Sequence, residues 1–163
     1  MLGSAPIADV IEHSSAFLAP LEDLSSGTVV DLGSGGGVPG LVIAWMRPEL
    51  HVVLVDRRAT RTDHVQRLVH RLRLTDHVDV LATDTAALPQ LLDGPVDAVV
   101  ARGFGTPDDV LRAAAPILAP GGVLIVAEPP RDRERWTHAT DAAALVRVPW
   151  ADQRVAVLRH VPR

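Results

Sequence analysis

Five short runs of β-branched and aliphatic residues punctuate the chain. They lie at 28–32, 51–55, 77–81, 96–100 and 123–127. Near-continuous apolar runs of this length suit strands buried on both faces. The intervening segments read as helices. Leu41 to Met46 follows the first run. From Ala59 to Arg73 the apolar residues Val65, Leu68, Val69 and Leu72 recur at i, i+3, i+4 and i+7, which predicts one buried stripe. Arg58, Arg61, Arg67, Arg71 and Arg73 fall on the remaining surface. Pro107-Asp108-Asp109 opens another helix, with acids in the first turn where the helix dipole favours them. That helix is expected to end between Pro116 and Pro120, with Gly121-Gly122 turning the chain into the fifth strand.

Strands alternating with helices predict an α/β fold: a doubly wound, mostly parallel, Rossmann-like sheet. Two further runs, 145–148 and 155–158, flank Pro149, Trp150, Ala151 and Asp152 and predict a C-terminal antiparallel hairpin. The expected organisation is a helical N-terminal segment, residues 1–27, leading into residues 28–163 as a single domain.

Composition narrows the chemistry. With 47% hydrophobic and 22% charged residues the chain has a globular balance. No apolar run reaches the ~18 residues of a membrane span, and no basic region leads into an apolar stretch at the N-terminus as in a secretory signal. The absence of Cys excludes disulfides, thiolate metal sites and a Cys nucleophile, and a cytoplasmic location is expected. All 16 basic residues are Arg, so no Schiff-base or Walker lysine exists. The seven His lack metal-binding spacing. A net charge of -4 leans against a large nucleic-acid footprint. Locally, however, 57–73 carries six Arg and one Asp. That stretch reads either as a solvated helix face or as an RNA-facing patch.

The most informative stretch runs from Asp31 to Gly40, between the first strand and its helix. Gly35-x-Gly37-x-x-Gly40 fits a dinucleotide fingerprint, whereas Asp31-x-Gly33-x-Gly35-x-Gly37 fits the glycine loop of S-adenosylmethionine-dependent methyltransferases. The helix start behind the loop is expected to offer N–H groups to an anion. Asp56 ends the second strand, 19 residues beyond Gly37, where an acid reaches ribose hydroxyls. Asp84 and Thr85 follow the third strand, near where an adenine amino group would lie. Asp31, Asp56 and Asp84 are thus expected along one rim, an acid-rich and phosphate-poor edge that suits a sulfonium cofactor. The alternatives are a NADP site, with Arg57 and Arg58 on a 2′-phosphate, and an Asp31 that only caps the helix. Against NADP, the chain has no room for a separate substrate domain. Arg102 is a candidate for orienting an acceptor, or forms an ion pair with Asp84 or Asp56; Phe104 stacks on a base or packs.

These residues resemble the bacterial 16S ribosomal RNA guanine-N7 methyltransferases, the glucose-inhibited division protein B family. The Asp31 to Gly40 loop, with its Pro-Gly ending, carries the likeness. Ile11-Glu12-His13-Ser14, Val55-Asp56 with the Arg-rich helix, and Ala101-Arg102-Gly103-Phe104 support it in order and spacing. The resemblance implies the class I S-adenosylmethionine-dependent methyltransferase fold. Its cofactor, S-adenosylmethionine, would be held by Asp31, Gly33, Ser34, Gly35, Gly37, Asp56, Arg57, Asp84, Thr85 and Arg102. It implies ribosomal RNA, or the small ribosomal subunit, as partner. A guanine N7 lone pair needs no general base, which matches a site without an obvious His or Lys base.

The departures are also informative. The family has a longer helical N-terminal region than the 27 residues ahead of the first strand. Arg-x-Glu after the third strand is Asp84-Thr85-Ala86, and Ser before Arg102 is Ala101. The family's Lys-Gly after the fifth strand is Glu128-Pro129, an anion for a cation at the RNA-facing mouth. These keep two alternatives open: a small-molecule acceptor, with Glu128 or Asp97 as base or amine anchor, and a non-catalytic binding protein. A second copy of the chain is a further candidate partner.

Overall fold

In the computed structural model, residues 7–128, Trp136 and 144–161 are described. Residues 1–6 of the expected N-terminal segment, Pro129 and His138 lie outside them. Seven strands form one sheet in the order β3-β2-β1-β4-β5-β7-β6. They are β1 (Gly27–Leu32), β2 (Leu50–Asp56), β3 (Val78–Ala82), β4 (Val96–Ala101), β5 (Leu118–Ala127), β6 (Leu145–Val148) and β7 (Val155–His160). β1 to β5 run parallel, and β7 pairs antiparallel with both β5 and β6. The doubly wound sheet and the terminal hairpin are therefore as the pattern predicts. The chain reverses direction across the sheet between β1 and β4, which opens a crevice at the carboxyl ends of the strands.

Helices cover both faces. α1 (Ile7–Ser15), α2 (Gly40–Met46) and α3 (Ala59–Leu72) accompany a core containing Phe17, Leu21, Ile43, Leu54, Val65 and Val69, all with no exposed surface. α4 (Leu88–Leu91) and α5 (Pro107–Ala114) serve the other face, where Leu88, Val99, Ala114, Leu124 and Leu158 are equally buried. Val29 and Val30 are adjacent and both buried, as a strand packed on two faces requires. Arg47 fixes the N-terminal segment to α2. It donates from Nη1 to the carbonyl of Leu21 at 2.9 Å and pairs with Glu49.

Three expectations change. The buried stripe of α3 is Thr62, Val65 and Val69; Leu72, at the last turn, is 38% exposed. Arg73 then stops the helix in a left-handed conformation (φ 57°). α5 ends at Ala114, earlier than its Pro-rich tail suggests, and β5 begins at Leu118. Gly121-Gly122 is thus inside β5 and not ahead of it. The register jumps there from Val96↔Leu118 to Ala98↔Val123, so extra residues of β5 bulge outward. At its start α5 carries a capping box, with Thr106 Oγ1 accepting from the Asp109 N–H and Asp109 accepting from the Thr106 N–H.

The tightest constraint is at Gly40. A Cβ there would stand 2.1 Å from Leu54 Cδ2 and 2.7 Å from Asp31 Oδ2. Gly40→Ala is expected to destabilise the protein by about 1–3 kcal/mol through overpacking, read as a lower urea midpoint at unchanged slope.

Candidate active site

The loop between β1 and α2 is held from below. Asp31, the penultimate residue of β1, is 1% exposed and accepts from the Gly40 N–H at 2.9 Å. The remaining donors of the first turn are also used. Leu41 N–H reaches Gly37 O, and Val42 and Ile43 N–H both reach Pro39 O. The expected anion-binding helix start is therefore consumed internally, which removes the natural place for a pyrophosphate. Gly37 crosses the loop at φ 88°, and a Cβ there would meet Leu41 Cδ1 at 2.4 Å.

Burial pushes the Asp31 carboxyl up to about 7, opposed by the Gly40 hydrogen bond and by the charge of Arg102, and reinforced by the charge of Asp56.

Asp56 ties the loop to β2. Its Oδ2 accepts from the Gly35 N–H and from Arg61 Nη1, each at 3.2 Å, and its Oδ1 accepts from the Arg58 N–H at 2.9 Å. A carboxylate has about four lone-pair positions, so three donors leave little spare capacity. Asp84 caps the 3-10 turn at Thr85–Ala87 by accepting from the Ala86 N–H at 3.0 Å.

These groups surround a cleft of about 610 Å³. Of the residues expected to hold a cofactor, Gly33, Asp56, Arg57, Asp84 and Thr85 line it. Asp31 lies beneath the loop and Ser34 is buried at 3% exposure, its Oγ without a partner. Arg102 is not part of the cleft wall. Its charge acts on Asp31 and on His13, whose pKa falls through burial first and then through Arg102 and Arg154. It forms no ion pair with Asp84 or Asp56, and its buried Nη1 has no partner.

Sequence reasoning missed Arg61, Asp109 and Arg112, which line the cleft together with Phe104. Arg61 read as a solvated helix residue, but it turns inward onto Asp56. The first turn of α3 starts directly behind β2, and that proximity was the available signal. Phe104 packs against Gly33, where a Cβ would lie 2.7 Å from Phe104 Cδ2. Three acids (Asp56, Asp84, Asp109) face four arginines (Arg57, Arg58, Arg61, Arg112). The cleft is thus mixed in charge and not simply acid-rich.

At the far rim, Glu128 is 3% exposed and pairs with Arg147 Nη2 at 2.7 Å, so it does not present a bare anion. Asp97 sits at the amino end of central strand β4, accepting from the Thr28 N–H at 2.8 Å, away from the ligand rim. Among the described residues no cluster of His, Cys, Asp or Glu could hold a metal ion. None of their helices is long and apolar enough to cross a membrane.

A family model described as rRNA small subunit methyltransferase G, GidB, matches residues 7–152. The chain belongs to the GidB family. It is 37% identical to the ribosomal RNA small subunit methyltransferase G of Leptothrix cholodnii over 119 residues, 69% of this chain and 53% of that protein. It spans about half the length of the curated relatives it matches. Among solved structures it is similar to TrmN from Thermus thermophilus, with a TM-score of 0.74 at 20% identity over 91% of this chain and 48% of that one. It is also similar to coclaurine N-methyltransferase bound to N-methylheliamine and SAH, with a TM-score of 0.73 at 15% identity over 91% and 53%. These structural likenesses show the fold, that of the class I S-adenosylmethionine-dependent methyltransferases.

The raised Asp31 pKa in this GidB chain has a definite linkage sign. Between about 4 and 7 the folded state holds a proton that the unfolded state has lost, so this group's contribution to stability falls as pH rises through that window. Asp31→Asn is expected to flatten the decline of Tm between pH 4 and pH 7 relative to wild type, measured by scanning calorimetry. An unchanged slope would show that Asp31 does not titrate there.

Proposed function

We propose that this chain binds S-adenosylmethionine in the cleft between β1 and β2 and methylates small-subunit ribosomal RNA. The observation that carries the reading is the GidB match over residues 7–152, joined to a glycine loop whose helix donors are spent internally and whose neighbouring acid faces a 610 Å³ cleft. A phosphate-bearing dinucleotide would need those donors; a nucleoside sulfonium does not.

In this reading Asp56 holds the ribose hydroxyls, Asp84 and Thr85 the base edge, and the Gly33 to Gly37 backbone the amino-acid end. Phe104 closes the wall beside Gly33. Bound there, the cofactor supplies an electrophilic methyl group on sulfur. The chain's own contribution is alignment and exclusion of water. A ring-nitrogen acceptor brings its own lone pair, so no side chain has to remove a proton first. Arg61 and Arg112 pair with Asp56 and Asp109, so Arg57 and Arg58 give the acidic chain its local basic edge for RNA phosphate. A ribosomal substrate goes with a cytoplasmic location.

Arg61 has a consequence for affinity. Its guanidinium occupies Asp56 Oδ2, and its Nη1 lies 3.9 Å from where a Gly35 Cβ would be, so it stands over the glycine loop. A ribose at Asp56 displaces it or shares the oxygen. Two substitutions should therefore move S-adenosylhomocysteine affinity in opposite directions by titration calorimetry. Asp56→Ala is expected to weaken binding by about 10- to 100-fold through lost charged hydrogen bonds. Arg61→Gln is expected to strengthen it by up to about fivefold, the size of a half-exposed ion pair. Weakening by both would contradict this role for Arg61, and no wild-type binding would contradict the cofactor reading.

A further inference from the structure

A second cavity, of about 440 Å³, lies at the end of β5, walled by Glu128, Arg147, Pro149, Trp150, Gln153 and Val155. We infer that it is a binding site for a nucleobase presenting an amino N–H edge, recognised by Glu128 and walled by Trp150. Only its role as the acceptor's pocket rests on the methyltransferase reading; the binding itself does not.

Position is the first argument. Glu128 directly follows β5, and its N–H donates to Arg154 O at 2.8 Å. β5 runs parallel to β4, and β4 to β1, with Ala101 paired to both Val126 and Leu32. The second cavity therefore shares the carboxyl-end rim with the glycine-loop cleft. The two are two strand positions apart, roughly 10 Å. That rim is where open α/β sheets bind ligands. The link 149–154 between β6 and β7 hangs over the same edge, because Val155 pairs with Ala127.

The polar chemistry is the second. Glu128 is 3% exposed; Oε2 accepts from Arg147 Nη2 at 2.7 Å, while Oε1 is buried with no hydrogen-bond partner. A buried carboxylate oxygen without a donor is costly and is retained where something completes it. Because Arg147 already balances the charge, the missing partner is a neutral N–H and not a second cation. A base amino group meets that requirement. Trp150, 37% exposed, adds the aromatic wall on which extruded bases stack.

The discrimination follows from lone pairs. Cytosine N4 donates, whereas uracil's one N–H on that edge, N3–H, lies between two carbonyl oxygens that repel Glu128 Oε1. The test uses neutral nucleosides, so that phosphate does not draw them to the arginines of the first cleft, and S-adenosylhomocysteine to occupy that cleft. Saturation-transfer NMR is expected to give cytidine about tenfold tighter binding than uridine. Glu128→Gln is nearly isosteric. Its amide oxygen turns to Arg147 and its NH2 faces the cavity, so the preference should invert in favour of uridine. Trp150→Ala should weaken both nucleosides.

Equal binding of cytidine and uridine, or an order unchanged in Glu128→Gln, would overturn the inference. S-adenosylhomocysteine binding in the same samples reports the first cleft separately. If it binds while the nucleosides do not, the second site fails and the donor site stands. If it does not bind while the nucleoside preference inverts, the donor reading fails and the second site stands.

Discussion

The hydrogen bond from Gly40 to the buried Asp31 carboxylate organises the ligand rim. It joins the end of β1 to the first residue of α2 across the glycine loop. It forces residue 40 to be glycine, because a side chain would intrude on Leu54 and on the carboxylate itself. It also spends the helix donor that other nucleotide folds reserve for phosphate. The cost is a carboxyl taken almost wholly out of water, whose proton affinity rises accordingly. A rim built this way favours a ligand recognised through hydroxyl and amino groups, with no phosphate at the helix start.

The two other acids of the rim then divide the work. Asp56 braces the loop through Gly35 and the start of α3 through Arg58 and Arg61, while its side remains on the cleft. Asp84 shapes the turn at 85–87 and borders the same space. Both acids therefore have structural roles of their own, which limits how freely either can be replaced. Arginines around the cleft give a chain of net charge -4 a local positive edge. Charge distribution here carries more information than the total.

Much of this architecture is legible in the sequence because the strands are buried on both faces and announce themselves as apolar runs. The glycine loop, Asp56 and Asp84 follow from strand ends and spacing. Features set by three-dimensional placement were not legible. Arg61 lies on a helix whose polar face looks solvated, yet its first turn abuts β2. The Gly121-Gly122 pair reads as a turn, but it forms a bulge within β5 because β4 supplies a partner on either side. Glu128 reads as a reversed charge at the mouth until Arg147, 19 residues later and on β6, is seen to neutralise it. Asp97 and Glu128 look equivalent as acids near strands, and only their place at opposite ends of β4 and β5 separates them.

GidB membership, the fold and the rim are the grounds on which we propose methyl transfer, with the donor beside Asp56 and the acceptor drawn in along the basic edge. The most direct measurement is transfer of labelled methyl from S-adenosylmethionine to isolated small ribosomal subunits by the purified protein. The account predicts label in the subunit's RNA, dependent on added protein. Protein that binds the methyl donor yet leaves that RNA unlabelled would contradict it.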